Sequence, residues 1–141
     1  MPNPGLRQQP RATLGNVTVQ TSDVHADLKV FRDIIEVSFE SGEQTTLKFY
    51  CQQACQITGF EAQVTKALAA TDAGTIQLID NTGTTQATIT FSAGSTQTTE
   101  GIQNPTPFNI PANSYYRITW AKTTAGGKAT VQVTGVRNGN G

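Results

Sequence analysis

The chain is predicted to be all-β, a two-sheet antiparallel sandwich of jelly-roll or Greek-key type with an extended N-terminal arm. Three observations predict it. Short segments with apolar residues at every second position recur from about residue 33 to residue 137, separated by Gly, Asn, Ser and Pro. Charged residues make up only 14% of the chain, while Thr, Gln, Asn, Ser and Gly are abundant, a mixture that favours strands and tight turns over helices. The 141 residues fit one domain, and a domain near that size buries roughly 68–70% of the surface its unfolded chain exposes, so no disulfide or metal staple is needed. A single closed barrel is the alternative architecture.

Residues 1–22, MPNPGLRQQPRATLGNVTVQTS, contain three prolines, two glycines and little apolar periodicity. They are predicted to form the arm, extended when alone and ordered against a neighbour, with Leu6, Val17 and Val19 to bury there. The sandwich is assigned to residues 23–141. Its first strand is DIIEVSFESG, in which Ile35, Val37 and Phe39 alternate with Glu36, Ser38 and Glu40 before Ser41 and Gly42 turn the chain. TTLKFYC sets Leu47, Phe49 and Cys51 on one face. In ITGFEAQV the face switches at Gly59, so a bulge is expected there before Phe60, Ala62 and Val64. The stretch VTKALAATDAG, residues 64–74, is the one helix-like piece and supports a turn or two at most.

GTIQLID and TTQATITFS flank Asn81, Thr82 and Gly83, a hairpin signal with Ile76 and Leu78 facing Ala87, Ile89 and Phe91. Residues 92–106 read as a long polar loop. PFNIP is a short strand guarded by prolines, SYYRITWA turns Tyr116, Ile118 and Trp120 inward, and KATVQVTGVR pairs Val131 with Val133 ahead of a second possible bulge at Gly135. The count is about eight short strands linked by tight turns and one long crossing loop, the pattern of a jelly-roll or Greek-key sandwich.

Composition also excludes. No apolar run approaches the ~20 residues that cross a bilayer, and MPNPGLRQQP lacks the apolar stretch of a secretory signal, so no membrane partner is expected. With two cysteines, synthesis in a reducing cytoplasm is the expectation. Net charge is zero, yet all ten carboxylates lie between Asp23 and Glu100 while residues 101–141 carry Arg117, Lys122, Lys128 and Arg137 and no acid. Either the charges are scattered on a solvated surface, or basic ends of one copy meet the acidic middle of another. The basic residues are single and not interleaved with aromatics, which argues against a nucleic-acid partner.

The candidate chemistry is thin. Cys51 and Cys55 are too few, with a single His, for a closed soft-metal site, and their spacing is one residue longer than the redox C-x-x-C pair. Gln52, Gln53 and Ala54 are predicted to form a three-residue hairpin loop that sets both thiols in the core, with a cross-strand disulfide as the alternative under oxidant. His25 between Asp23 and Asp27 reads as a turn or cap rather than a cation site. Asp33 and Glu36 sit on opposite faces of a strand, which does not suit shared acid–base work, and no nucleophile elbow, phosphate loop or His-Glu-x-x-His motif occurs. No enzyme, cofactor or metal is therefore expected. Outward Tyr50, Tyr115 and Arg117 are left as surface residues that could stack on sugar rings or fill a subunit interface.

The Thr-rich, Gly-turned strands, the Pro-rich arm and the stretch PFNIPANSYYRITWA resemble the small jelly-roll proteins of tailed-bacteriophage virions, over about residues 34–136. These are the capsid decoration or cement proteins and, as the alternative, domains of tail fibres and spikes. The resemblance implies a homotrimer on the capsid surface of the virion, made in the host bacterial cytoplasm, that binds and holds together subunits of the major capsid protein. It also implies that the arm makes those contacts, through Pro2, Pro4, Leu6, Arg7, Pro10, Arg11, Leu14, Val17 and Val19. Under the fibre or spike alternative the partner is a carbohydrate or receptor, met by Tyr115, Arg117 and residues 92–106.

Overall fold

The computed structural model describes residues 30–40 and 45–137. Among them are nine strands and no helix: β1 (Val30–Ser38), β2 (Thr45–Cys51), β3 (Cys55–Lys66), β4 (Gly74–Ile79), β5 (Thr85–Phe91), β6 (Glu100–Ile102), β7 (Phe108–Ile110), β8 (Ser114–Ala121) and β9 (Lys128–Arg137). One sheet runs β1-β9-β3, with β6 and β7 both on the far side of β3; the other runs β2-β8-β4-β5.

That order is a rolled antiparallel ribbon. β4 pairs with β5 at the tip, β3 with β6 and β7, β2 with β8 and β1 with β9, and rolling adds the β3–β9 and β4–β8 pairings. Consecutive strands change sheet except at the β4–β5 hairpin and between the two short halves on the β3 edge. The sandwich is therefore a jelly roll, as its strand rhythm predicts.

Period-two alternation explains which side chains meet between the sheets. The ladders place Phe60 opposite Val133 and Ala62 opposite Val131 in one sheet, Ile76 opposite Trp120 and Leu78 opposite Ile118 in the other. All of these are buried, along with Val37, Phe39, Ile57, Val64, Ile89, Phe91, Ile110 and Tyr116. Each large apolar side chain removed from water in this way contributes about 1.5–3 kcal/mol. The β3–β9 register slips between Ile57 and Gly59, so the bulge expected at Gly59 is present. It keeps Cys55 and Ile57 facing inward on one side of it and Phe60, Ala62 and Val64 on the other. The side chain of Asn104 accepts the Phe60 amide at 3.0 Å there, filling the gap between β6 and β7.

Five expectations change. Cys51 and Cys55 do not close a hairpin: β2 pairs with β8 and β3 with β9, so residues 52–54 carry the chain from one sheet to the other. Residues 67–73 are not helical, because their backbone groups bond other loops rather than each other: the Leu68 amide donates to Ser95 O at 2.9 Å and the Ala69 amide to Gly126 O at 3.2 Å. The loop over residues 92–106 contains β6. Leu47 shares the inner face with Ile118 but stays 42% exposed, because β2 is an edge strand. Gly135 borders the same register slip, opposite Ile57, but the extra residue is Thr58 on β3, so β9 carries no bulge of its own there; the glycine makes room for the Phe31 ring.

Candidate functional site

The two flanks of the sandwich are built differently. On one, β5 packs against β6, β6 and β7 are three residues each, Pro105 and Pro107 lie between them, and β5 carries a register slip against β4 near Ile79. Short edges, prolines and bulges are the usual guards against adding another strand. The opposite flank is formed by β1 and β2, nine and seven residues long. Among the described residues neither has a second strand neighbour. Here Ile34 is 61% exposed and Tyr50 is 73% exposed, beside the half-exposed Leu47.

Next to this flank lies the outer face of the β2–β8 pair. The register sets Tyr50 opposite Tyr115, Lys48 opposite Arg117 and Thr46 opposite Thr119. The two tyrosine rings are 5.5 Å apart and tilted by 57°. Lys48 Nζ sits 4.6 Å from the centre of the Tyr115 ring and Arg117 Cζ 5.7 Å from it, within the reach of cation–π attraction. The face thus offers two aromatic rings and two cations, with the Thr46 and Thr119 hydroxyls bonded at 3.0 Å beyond them.

The sheet-crossing corner gathers the remaining reactive groups. Cys55 is buried, Cys51 is partly exposed, and their sulfurs are 3.4 Å apart. Burial pushes the Cys55 thiol up to about 12, and donation of its proton to Cys51 pushes the same way. Burial also raises Cys51, opposed by the hydrogen bond it accepts. On the inner face of β1, Asp33 accepts the hydroxyl of buried Tyr116, whose ionisation is raised first by burial and then by that bond. An opening of about 430 Å³ at this corner is lined by Phe31, Asp33, Tyr50, Cys51, Gln52, Gln53, Cys55 and Arg137. Arg137 lies over the Phe31 ring at 5.0 Å.

Of the residues singled out in the sequence, Tyr50, Tyr115 and Arg117 come together on one face. The arm residues from Pro2 to Val19, together with His25, lie outside the described residues. Sequence reasoning missed the inward role of Asp33, although its phase with Ile35 and Val37 carries that signal. It also missed Lys122, whose side chain is fully buried with Nζ 2.7 Å from Asp72. That pair joins the acid-free C-terminal third to the acidic middle within one chain. Nothing in the local sequence marks it, since the partners are 50 residues apart.

No protein-family model matches the chain, and no curated protein matches it in sequence. Some solved structures are similar to it. The chain is similar to a chain of the cyanophage Pam1 capsid asymmetric unit, 17% identical with a TM-score of 0.46 over 78% of this chain and 84% of that one. It is also similar to a CocE/NonD family hydrolase from Staphylococcus aureus, 8% identical with a TM-score of 0.43 over 77% of this chain. A third is the VP2 subviral particle of infectious bursal disease virus, 16% identical with a TM-score of 0.34 over 79% of this chain. The chain spans 33% of the length of each of the latter two. The fold is defined by the strand order itself.

Proposed function

We propose that the chain is a non-enzymatic structural protein of a bacteriophage particle, an oligomer that decorates or cements the capsid by binding subunits of the major capsid protein. The observation that carries the reading is the contrast between the flanks. A flank closed by short strands and prolines, opposite one of two longer strands that carry exposed Ile34 and Tyr50 and half-exposed Leu47, suits a protein with an edge-on partner surface. A partner strand laid along β1 or β2 would pair backbone groups that no strand meets among the described residues. A specific interface buries ~1,600 Å² in total, and repeating it around a trimer multiplies the effect through effective concentration. The arm, residues 1–22, lies seven residues ahead of β1 in sequence and is proposed to extend the same contact. The test is binding to purified capsid shells by the full chain and by an Ile34→Lys/Leu47→Lys variant. Loss of binding with the thermal midpoint kept supports the flank as the contact; undiminished binding sinks it.

The cross-strand cluster of Tyr50, Tyr115, Lys48 and Arg117 favours a second reading, a carbohydrate- or receptor-binding module of a tail fibre or spike. The exposed Tyr50 ring, backed by the partly buried Tyr115, suits stacking on the apolar face of a sugar, and the flanking cations suit an acidic one. Specific binding on a glycan array that disappears in Tyr115→Ala would place this reading first.

A further inference from the structure

Cys51 ends a strand of the four-stranded sheet, and Cys55 begins a strand of the five-stranded sheet. Only Gln52, Gln53 and Ala54 lie between them, and the sulfurs are already 3.4 Å apart. A disulfide needs about 2.0 Å between sulfurs, so the pair is within roughly 1.5 Å of bonding distance. The surroundings distinguish the two thiols. Cys51 is partly exposed beside Phe31, Asp33, Gln53 and Arg137 at the mouth of the corner opening. Cys55 is 1% exposed and faces Cys51.

The geometry points to a modification site that joins the two sheets: Cys51 and Cys55 exchange with a small disulfide of the glutathione class to form an intramolecular Cys51–Cys55 bond. The Cys51 thiolate attacks one sulfur of the reagent, breaking its S–S bond, releasing one reagent thiolate and leaving a mixed disulfide on Cys51. The Cys55 thiolate then attacks Cys51 Sγ and expels the second reagent thiolate. In sum the protein loses two hydrogens and two electrons, and the reagent disulfide gains them as two thiols. Cys51 acts first because it is partly exposed, whereas Cys55, on the wall of the same opening, is only 1% exposed. Burial holds both thiols above their ordinary ionisation range, so the first step is slow at neutral pH and accelerates about tenfold per pH unit between pH 7 and 9. The bond pins the end of edge strand β2 to interior strand β3. The inference is independent of the virion reading.

The test treats the reduced full-length chain with oxidised glutathione at pH 8, quenches with acid and maps the cysteine peptides. The expected product is a monomer about 2 Da lighter than the reduced chain, without a free thiol after unfolding, and with a thermal midpoint raised by roughly 5 °C. Cys55→Ser is expected to trap a single glutathione on Cys51, and Cys51→Ser to leave Cys55 unmodified in the folded state. Two glutathione adducts on the unsubstituted chain, disulfide-linked dimers, or two free thiols after a control dithiol peptide is fully oxidised would each overturn the proposal. The unsubstituted chain alone decides if a variant fails to fold.

Discussion

Gly135 pairs with Ile57 in the β3–β9 ladder, and a Cβ there would sit 2.5 Å from Phe31 Cζ and 2.7 Å from the Gln56 carbonyl oxygen. The ring cannot retreat freely, because Arg137 lies over it. Gly135→Ala is therefore expected to cost about 1–3 kcal/mol in urea unfolding, and a change below about 0.5 kcal/mol would show that β1 accommodates it. The buried acids nearby set a pH dependence. Cys55 is held up to about 12 and Tyr116 above its usual range, so the folded chain keeps protons that the unfolded chain releases from about pH 8.5 upward. Stability contributed by these groups is complete below that pH and is lost as pH rises, at up to ~1.4 kcal/mol per pH unit for each proton so held. Urea midpoints measured from pH 7 to pH 11 should fall, and less so in Cys55→Ala; a flat profile would contradict the burial of these groups.

Among the elements, the β4–β5 hairpin shows how one residue organises a turn. Asp80 Oδ1 accepts the amides of Thr82 and Thr84 at 2.9 Å each and the Thr82 hydroxyl at 2.7 Å, while Oδ2 accepts Gln86 Nε2 at 2.7 Å. Burial pushes its carboxyl up, but these donors outweigh it and hold the group below its ordinary range. Asp80→Ala should cost about 2 kcal/mol, read as a lower thermal midpoint, with Asp80→Asn recovering part of it; an unchanged midpoint would mean the turn is held by its strands alone. The strands here were legible because one face of each is buried and the other wet, which writes period two into GTIQLI and TQATITF. Cys51 to Cys55 was misread for a physical reason. A short polar loop looks the same whether its flanking strands pair with each other or cross between sheets, and the difference lies in partners, β8 and β9, that come more than sixty residues later. Residues 67–73 misled similarly: Leu68 and its neighbours look helical, but their backbone bonds run to residues 94, 95 and 126. Of the candidate surface, Tyr50, Tyr115 and Arg117 were visible from alternation, whereas the contrast between the flanks needed the sheet order.

At the scale of the whole molecule, the rolled ribbon leaves β1 and β2 together on one flank, and the Tyr-and-cation face beside it is built on β2 and β8. Sequence-separated charges meet within the chain at Asp72 and Lys122, so this basic residue is not available to another copy. The proposed capsid contact is left to the β1–β2 flank and to the arm. The measurement that bears most directly on the proposed virion role is co-sedimentation of the purified chain with purified phage capsid shells, with light scattering of the free chain as companion. Saturable binding at a fixed ratio to capsid subunits, by a trimer in solution, and its loss on deletion of residues 1–19 from a chain that still melts cooperatively, is the result expected. A full-length chain that remains in the supernatant beside intact shells would contradict the proposed function.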